Sequence, residues 1–223
     1  MNTKVPTSSP DNRGAPAWTG YRCLACGRTE PSNYPGYGCA ACGRHLELTY
    51  DFQQVRGQLD PGRAGTGARA DIFRYLPWLP LPDARHAPTP RVGQTPLYAV
   101  PQLADATPGL GDVNLFLKDD GLNPSASFKD RAGAVVLARA RQLDVPMIAG
   151  ASTGNAGSSL ACLTAGGTPP CVIFVPAAAP VAKLPQLLIF GARVVAAEGS
   201  YDQPYALCAQ ICAQRGWYNR NTG

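Results

Sequence analysis

Residues 118–157 read KDDGLNPSASFKDRAGAVVLARARQLDVPMIAGASTGNAG, and the fold of the chain turns on how this stretch divides. A short apolar strand ending at Lys118 runs into a loop, and the loop into a segment with helical spacing over 128–142. A second apolar run at 145–149 then leads into the turn Ser152-Thr153-Gly154-Asn155. The pattern is strand, ligand-sized loop and helix, twice in succession. Ser127 stands where it can cap the helix, and Asp130, three residues on, where it can reach back to complete a capping box. Lys129 then falls in the first helical turn. There it faces the positive end of the helix macrodipole, which disfavours the charged form and favours a neutral, nucleophilic amine. Taken alone, a lysine is most often a solvated surface charge.

Further apolar runs at 113–117, 171–175 and 193–197 read as strands, and segments at 155–166, 181–191 and about 203–214 have helical spacing. Strands alternating with helices predict an α/β fold: right-handed crossovers and a parallel sheet with helices on both faces. Ligands of such sheets gather at the carboxyl ends of the strands, where both loops of the opening stretch should converge. Pro185 is tolerated only in a first helical turn, so the helix of 181–191 should begin near Leu184, leaving Lys183 a surface charge rather than a phosphate ligand. Cys162, Cys171, Cys208 and Cys212 fall on these strands and helices and read as buried thiols.

Towards the amino terminus, Cys23-x-x-Cys26-Gly27 is followed by Cys39-x-x-Cys42-Gly43, with twelve residues between the two cysteine pairs. Paired knuckles of this kind let two thiolates reach one cation from a tight turn, and two pairs complete a tetrahedral zinc site with no open coordination position. A disulfide-stapled module and four free thiols are the alternatives, and no secretion signal favours the first. His45 is not needed as a ligand. Residues 1–18 are polar and rich in Pro, Ser and Asn and read as a disordered leader, with the zinc-ribbon-like knuckle over 19–50. From 51 to 92, dense Gly and Pro predict a linker laid over a domain surface, anchored by Trp78, Leu79 and Leu81.

At 223 residues, 45% hydrophobic and 16% charged, the chain can bury a sizeable core. Its net charge of +5, from 20 basic and 15 acidic residues, is spread without a long basic run and does not point to nucleic acid. No apolar run approaches the roughly 20 residues of a membrane span, so the cytoplasm is the default expectation.

As an ordered string, Lys118, Gly121, Asn123, Pro124, Ser127, Phe128, Lys129, Asp130 and Arg131, then Ser152, Thr153, Gly154 and Asn155, resembles the fold type II pyridoxal-phosphate (PLP) enzymes. This is the tryptophan synthase β-like group, and the likeness is greatest to its threonine synthase family. There a K-x-E-G-x-N-P-T-G-S-F-K-D-R segment carries the cofactor-bearing lysine and an S-T-G-N segment follows. Gly93-Gln94-Thr95-Pro96-Leu97 looks like the G-x-T-P-L segment that opens the catalytic fold in that group, and some family members also begin with a small cysteine-bearing segment.

The resemblance implies a catalytic fold over 93–223, with pyridoxal 5'-phosphate held by Lys129, which then serves as general base and acid. It implies Asn155 on the ring oxygen of the cofactor, and Ser152 and Thr153 near the substrate carboxylate, though either reads equally as an ordinary helix cap. It implies Lys118, Asn219 and Asn221 as contacts for a leaving phosphate, Lys118 being equally readable as a strand-end charge. The reaction so implied converts O-phosphohomoserine and water to threonine and phosphate. The expected partner is a small phosphorylated amino acid, with homodimer formation left open. The alternatives are another enzyme of the same fold, such as a cysteate synthase or a serine/threonine dehydratase, and a non-catalytic zinc-knuckle binding module.

Some residues depart from the family pattern. Ala126 stands where the family usually has Gly, and its Cβ crowds the backbone if that position needs a positive φ. Ser125 replaces Thr and Asp120 replaces Glu. The family's glycine-rich loop for the cofactor phosphate, and its Ser or Thr facing the pyridine nitrogen, lie beyond the segment equivalent to 217–219 and are not in this sequence. The expectation is the amino-terminal part of a longer enzyme.

Overall fold

The computed structural model describes residues 17–36, 38–58, 69–200 and 202–221. The leader expected at 1–18 lies outside the described residues up to position 16. Ala17 and Trp18 are buried, and Trp18 opens the first strand. Strands β1 (Trp18–Cys23), β2 (Thr29–Pro31) and β3 (Leu46–Tyr50) make an antiparallel sheet in the order β2-β1-β3, with the cysteine pairs in the turns at its end. The Gly/Pro-rich stretch that follows has a short helix α1 (Phe52–Gln58) and a 3-10 segment at 72–78. Leu81 is fully buried and Leu79 packs on the core, whereas the Trp78 ring lies 5.8 Å from that of Tyr50 at the end of β3.

Next come β4 (Leu97–Ala99), α2 (Pro101–Asp105) and β5 (Phe116–Lys118). The strand expected at 113–117 as a member of the parallel sheet is this β5. It is shifted towards Lys118 and pairs antiparallel with β4, as Leu97↔Lys118, Tyr98↔Leu117 and Ala99↔Phe116. All six of these residues are exposed. Without a buried face the run has no apolar reason to enter the sheet, and backbone pairing with β4 satisfies it instead.

The remainder alternates as expected: α3 (Lys129–Gln142), β6 (Ile148–Ala151), α4 (Asn155–Thr164), β7 (Cys171–Pro176), α5 (Leu184–Ile189), β8 (Arg193–Ala197), α6 (Asp202–Arg215) and β9 (Tyr218–Asn219). The four strands are parallel in the order β8-β7-β6-β9. Side chains of the central strands point alternately to two cores. Ile148, Ile173 and Val175 meet Leu137, Leu160, Leu163 and Leu187 of α3, α4 and α5, whereas Met147, Ala149, Val172 and Phe174 meet Cys208 and Cys212 of α6. Each fully buried Ile or Leu contributes roughly 1.5–3 kcal/mol. The helix expected at 181–191 is split into a 3-10 turn and α5, which starts at Leu184 with Pro185 in its first turn, as the proline requires. The side chain of Lys183 lies outside the described residues. Cys162, Cys171, Cys208 and Cys212 are all buried thiols.

Candidate functional site

The loop before α3 is built from side chains that bind the backbone. Asn123, 5% exposed, accepts the Gly93 N–H through Oδ1 at 2.9 Å and donates from Nδ2 to the Asp120 carbonyl at 3.0 Å. Arg131 grips the Asp120 carboxylate with Nε at 2.9 Å and Nη2 at 2.7 Å, and the Thr95 hydroxyl donates to the same carboxylate at 2.6 Å. The Arg131 hydrogen bonds, ahead of Thr95 and of the Lys118 charge, hold the Asp120 carboxyl well below the usual carboxylate range. Segment 93–97 is thereby tied to the loop. Lys118 adds to the tie, because its Nζ donates to the Thr95 carbonyl.

The start of α3 differs from the expected capping box. Ser127 Oγ does accept a helical N–H, that of Lys129 at 3.1 Å. Asp130, fully buried, reaches instead to Ser125, accepting its N–H at 2.7 Å and its hydroxyl. The cause is Ala126, whose φ of 56° turns the chain through the left-handed region and brings Ser125 over the carboxylate. The family-atypical alanine thus occupies a position that suits glycine.

Lys129 is half-buried, with Nζ 4.4 Å from the centre of the exposed Phe128 ring. Among the described residues no carboxylate or hydrogen-bond acceptor engages this amine. At the second loop, Ser152 Oγ accepts the N–H groups of Gly154 at 3.2 Å and Gly157 at 3.1 Å, so its hydroxyl serves the start of α4. Thr153 is half-buried and Asn155 exposed, and neither side chain is engaged among the described residues. Gly154 borders open space. Below them Asn221, 5% exposed, accepts the Ala151 N–H at 2.7 Å, while Asn219 in β9 accepts the N–H of Asn221 at 3.0 Å.

The two loops are brought together by the helices behind them. A Cβ on Gly133 would stand 2.8 Å from both Ser159 Oγ and Leu163 Cδ1, so only glycine allows α3 and α4 to approach this closely. Farther along, Arg141 Nε donates to the Thr168 carbonyl at 2.8 Å, just past the end of α4. The helices therefore run side by side in one direction. Lys129 lies one turn before Gly133 and Asn155 one turn before Ser159, which puts them on matching faces at the open ends of both helices. Ser152, Thr153 and Asn221 join them at the carboxyl end of β6. Lys118 belongs to the tie with segment 93–97. Asn219 sits within the last strand.

The cysteines form a second cluster. Cys23, Cys26, Cys39 and Cys42 place their sulfurs within 4.8 Å of one another, with Cys23–Cys42 at 3.5 Å and Cys26–Cys39 at 3.6 Å. Tetrahedral zinc with Zn–S bonds of about 2.3 Å sets neighbouring sulfurs roughly 3.8 Å apart, so the set fits such an ion. The two knuckles repeat one another. Gly27 and Gly43 have φ of 73° and 69° and donate to the carbonyls of Cys23 and Cys39, whose sulfurs each accept an N–H at 3.4 Å, from Ala25 and Ala41. Backbone hydrogen bonding, from Cys26 first, brings the Cys23 thiol down to about 6.

Residues 88–223 match the profile of the pyridoxal-phosphate dependent enzyme family, and the chain belongs to that family. It is 32% identical over 202 residues to a threonine synthase of Methanocaldococcus jannaschii, covering 90% of this chain and 49% of that protein. It is likewise 32% identical over 202 residues to a threonine synthase of Methanosarcina acetivorans, covering 90% and 48%. The chain thus spans about half the length of the curated relatives it matches. Among solved structures, O-acetyl serine sulfhydrylase isoform 3 of Entamoeba histolytica superposes with a TM-score of 0.52 at 25% identity, over 58% of this chain and 41% of that one.

The residues at the helix ends fit the family's cofactor by donor chemistry. Among the described residues the Lys129 amine has no hydrogen-bond acceptor and could meet the cofactor's aldehyde, and the Asn155 amide and Thr153 hydroxyl, likewise without hydrogen-bond partners there, flank the Gly154 turn. Spacing pointed to the cysteines. The resemblance pointed to Lys129 and Asn155. It left Arg131, Asp120 and Thr95 without a role, although all three stand inside the quoted motifs. It also passed over Arg139, whose only signal was a charge among the apolar residues of α3.

Proposed function

We propose that the chain carries the lysine-bearing half of a threonine synthase, an enzyme that converts O-phosphohomoserine and water to threonine and phosphate, with a structural zinc ion on Cys23, Cys26, Cys39 and Cys42. The observation that carries this reading is the Lys129 amine at the start of α3, level with Asn155 on α4, which rests against the Phe128 ring and has no carboxylate or hydrogen-bond acceptor among the described residues. Pyridoxal 5'-phosphate, when bound, supplies the electron sink for charge developing on the substrate carbons. Lys129 Nζ would hold the cofactor, and the same amine would serve as the general base for the proton on the substrate Cα. Asn155 orients the cofactor ring through its amide. Thr153 and the free N–H groups at the start of α4 receive the substrate carboxylate, while Ser152, occupied with Gly154 and Gly157, keeps that turn in shape. The resemblance assigns Lys118, Asn219 and Asn221 to the leaving phosphate, and the first and last would give up their bonds to Thr95 and Ala151 to meet it.

Incubation with pyridoxal phosphate, borohydride reduction and peptide mapping should place the label on Lys129, and Lys129→Ala should abolish it. Label spread over Lys4, Lys118 and Lys183 instead would defeat the reading. Phosphate released from O-phosphohomoserine but not from O-phosphoserine would support the substrate, and the reverse preference would exclude it.

A further inference from the structure

Arg139 is 4% exposed, an unusual state for an arginine with no carboxylate beside it among the described residues. Its charge is met almost entirely from the cysteine knuckle. Nη2 donates to the carbonyls of Ser32 at 3.1 Å and Tyr34 at 3.2 Å, and the guanidinium carbon lies 5.4 Å over the ring of Trp18. Its own helix contributes only Gln142, which accepts from Nη1 at 2.9 Å. Ser32 and Tyr34 lie in the span between the two cysteine pairs. That span is drawn in at both ends: the Tyr34 hydroxyl donates to the Gly38 carbonyl at 2.8 Å and its N–H to Pro31.

Around this contact the knuckle and α3 are not tightly packed. A cleft of about 240 Å³ opens beside it, lined by Tyr21, Leu46 and Leu48 of the knuckle, by Val135, Val136 and Arg139 of α3, and by Pro80 and Tyr218. Apolar packing across it is therefore incomplete, and the guanidinium is the main bridge. A buried cation requires its acceptors, those acceptors lie in the segment that joins the two knuckles, and a knuckle of this size takes its folding energy from the metal. Arg139 stands on the helix that begins at Lys129, about 15 Å farther along its axis.

We propose that Arg139 is a positioning residue that couples the cysteine knuckle to α3, so that a metal held by Cys23, Cys26, Cys39 and Cys42 sets the order of the helix whose first residue is Lys129. By linkage, whatever stabilises the start of α3 then strengthens metal binding, and the reverse. The consequence for Lys129 rests on the function proposed above. The coupling itself does not.

The test is hydrogen exchange on the full chain, loaded with Zn(II) and then stripped by a chelator. In the wild type, stripping should make the amides of 129–142 exchange about tenfold faster while the amides of 171–176 keep their protection. Arg139→Gln should still bind one zinc, yet its α3 should exchange fast in both states, and Arg139→Lys, which can serve one carbonyl, should fall between. A merely structural arginine would loosen the helix without removing its response to the metal. Unchanged wild-type α3 exchange on stripping would overturn the coupling, even if the glutamine variant failed to fold. So would an undiminished metal response in Arg139→Gln. Labelling of Lys129 by pyridoxal phosphate, followed in parallel, separates the two ideas: a metal response in exchange without any label keeps the coupling and removes the cofactor reading.

Discussion

Strands β6 and β7 are buried at almost every position, whereas β1 alternates buried and exposed residues and β3 is only half-buried throughout. The parallel sheet is sandwiched between two apolar cores, with helices on both faces. Among the described residues the cysteine knuckle contributes to neither core, and its turns are held by backbone hydrogen bonds around four converging sulfurs. The two regions therefore owe their order to different physics, and they should come apart when each source is removed in turn.

The largest effect should follow loss of the zinc ion proposed for the four cysteines. Structural zinc contributes about 10–16 kcal/mol in comparable small modules, so Cys39→Ser, at a buried ligand position, should leave β1–β3 without amide protection. The central strands should stay protected, and an equal loss in both regions would show that the knuckle is not separately stabilised. The converse experiment is Ile173→Ala. This side chain is fully buried between the sheet and α3–α4, and its truncation should cost about 2–5 kcal/mol in denaturant unfolding. Zinc stoichiometry should remain one per chain.

The same contrast explains what could be read without coordinates. β8 at 193–197, the body of α3 and the start of α5 at Leu184 were legible because each is dictated locally, by an apolar run, a helical period or a proline. The cysteine spacing was legible for a similar reason, since two short turns suffice to bring four sulfurs together. The partner of β5 was not, because pairing with Leu97–Ala99 is decided by which backbone lies alongside, and a strand's own residues carry no mark of that. Nor was the choice of Ser125 over Ser127 by Asp130, which depends on the single left-handed residue between them. Arg139 was invisible because, Gln142 apart, its hydrogen-bond acceptors are carbonyls more than a hundred positions earlier in the chain.

A smaller effect should mark the loop that joins segment 93–97 to the sheet half. Asp120→Asn removes the charge that Arg131 grips and should cost about 2 kcal/mol. The sign of the pH dependence follows from the depressed folded-state value. The carboxylate's contribution is complete above its ordinary value of 3.8 and is lost as the pH falls towards the lower value of the folded protein. Wild-type stability should therefore decline with acidification below about pH 4 more steeply than that of Asp120→Asn. Parallel profiles would mean that other carboxylates govern this range.

Ala126→Gly should have the smallest effect, and the opposite sign. At φ 56° an alanine carries steric strain of roughly 1–2 kcal/mol that glycine lacks, against which glycine loses more backbone freedom on folding. The net should be a gain of up to about 1 kcal/mol in unfolding free energy. Because Ser125, Asp130 and the start of α3 keep their hydrogen bonds in either case, the gain should appear with no change in zinc content and none in the labelling of Lys129. If Ala126→Gly instead lowered both stability and labelling, the methyl group would have to be an active constraint on the turn before Lys129, and the alanine a feature of the site rather than a tolerated strain.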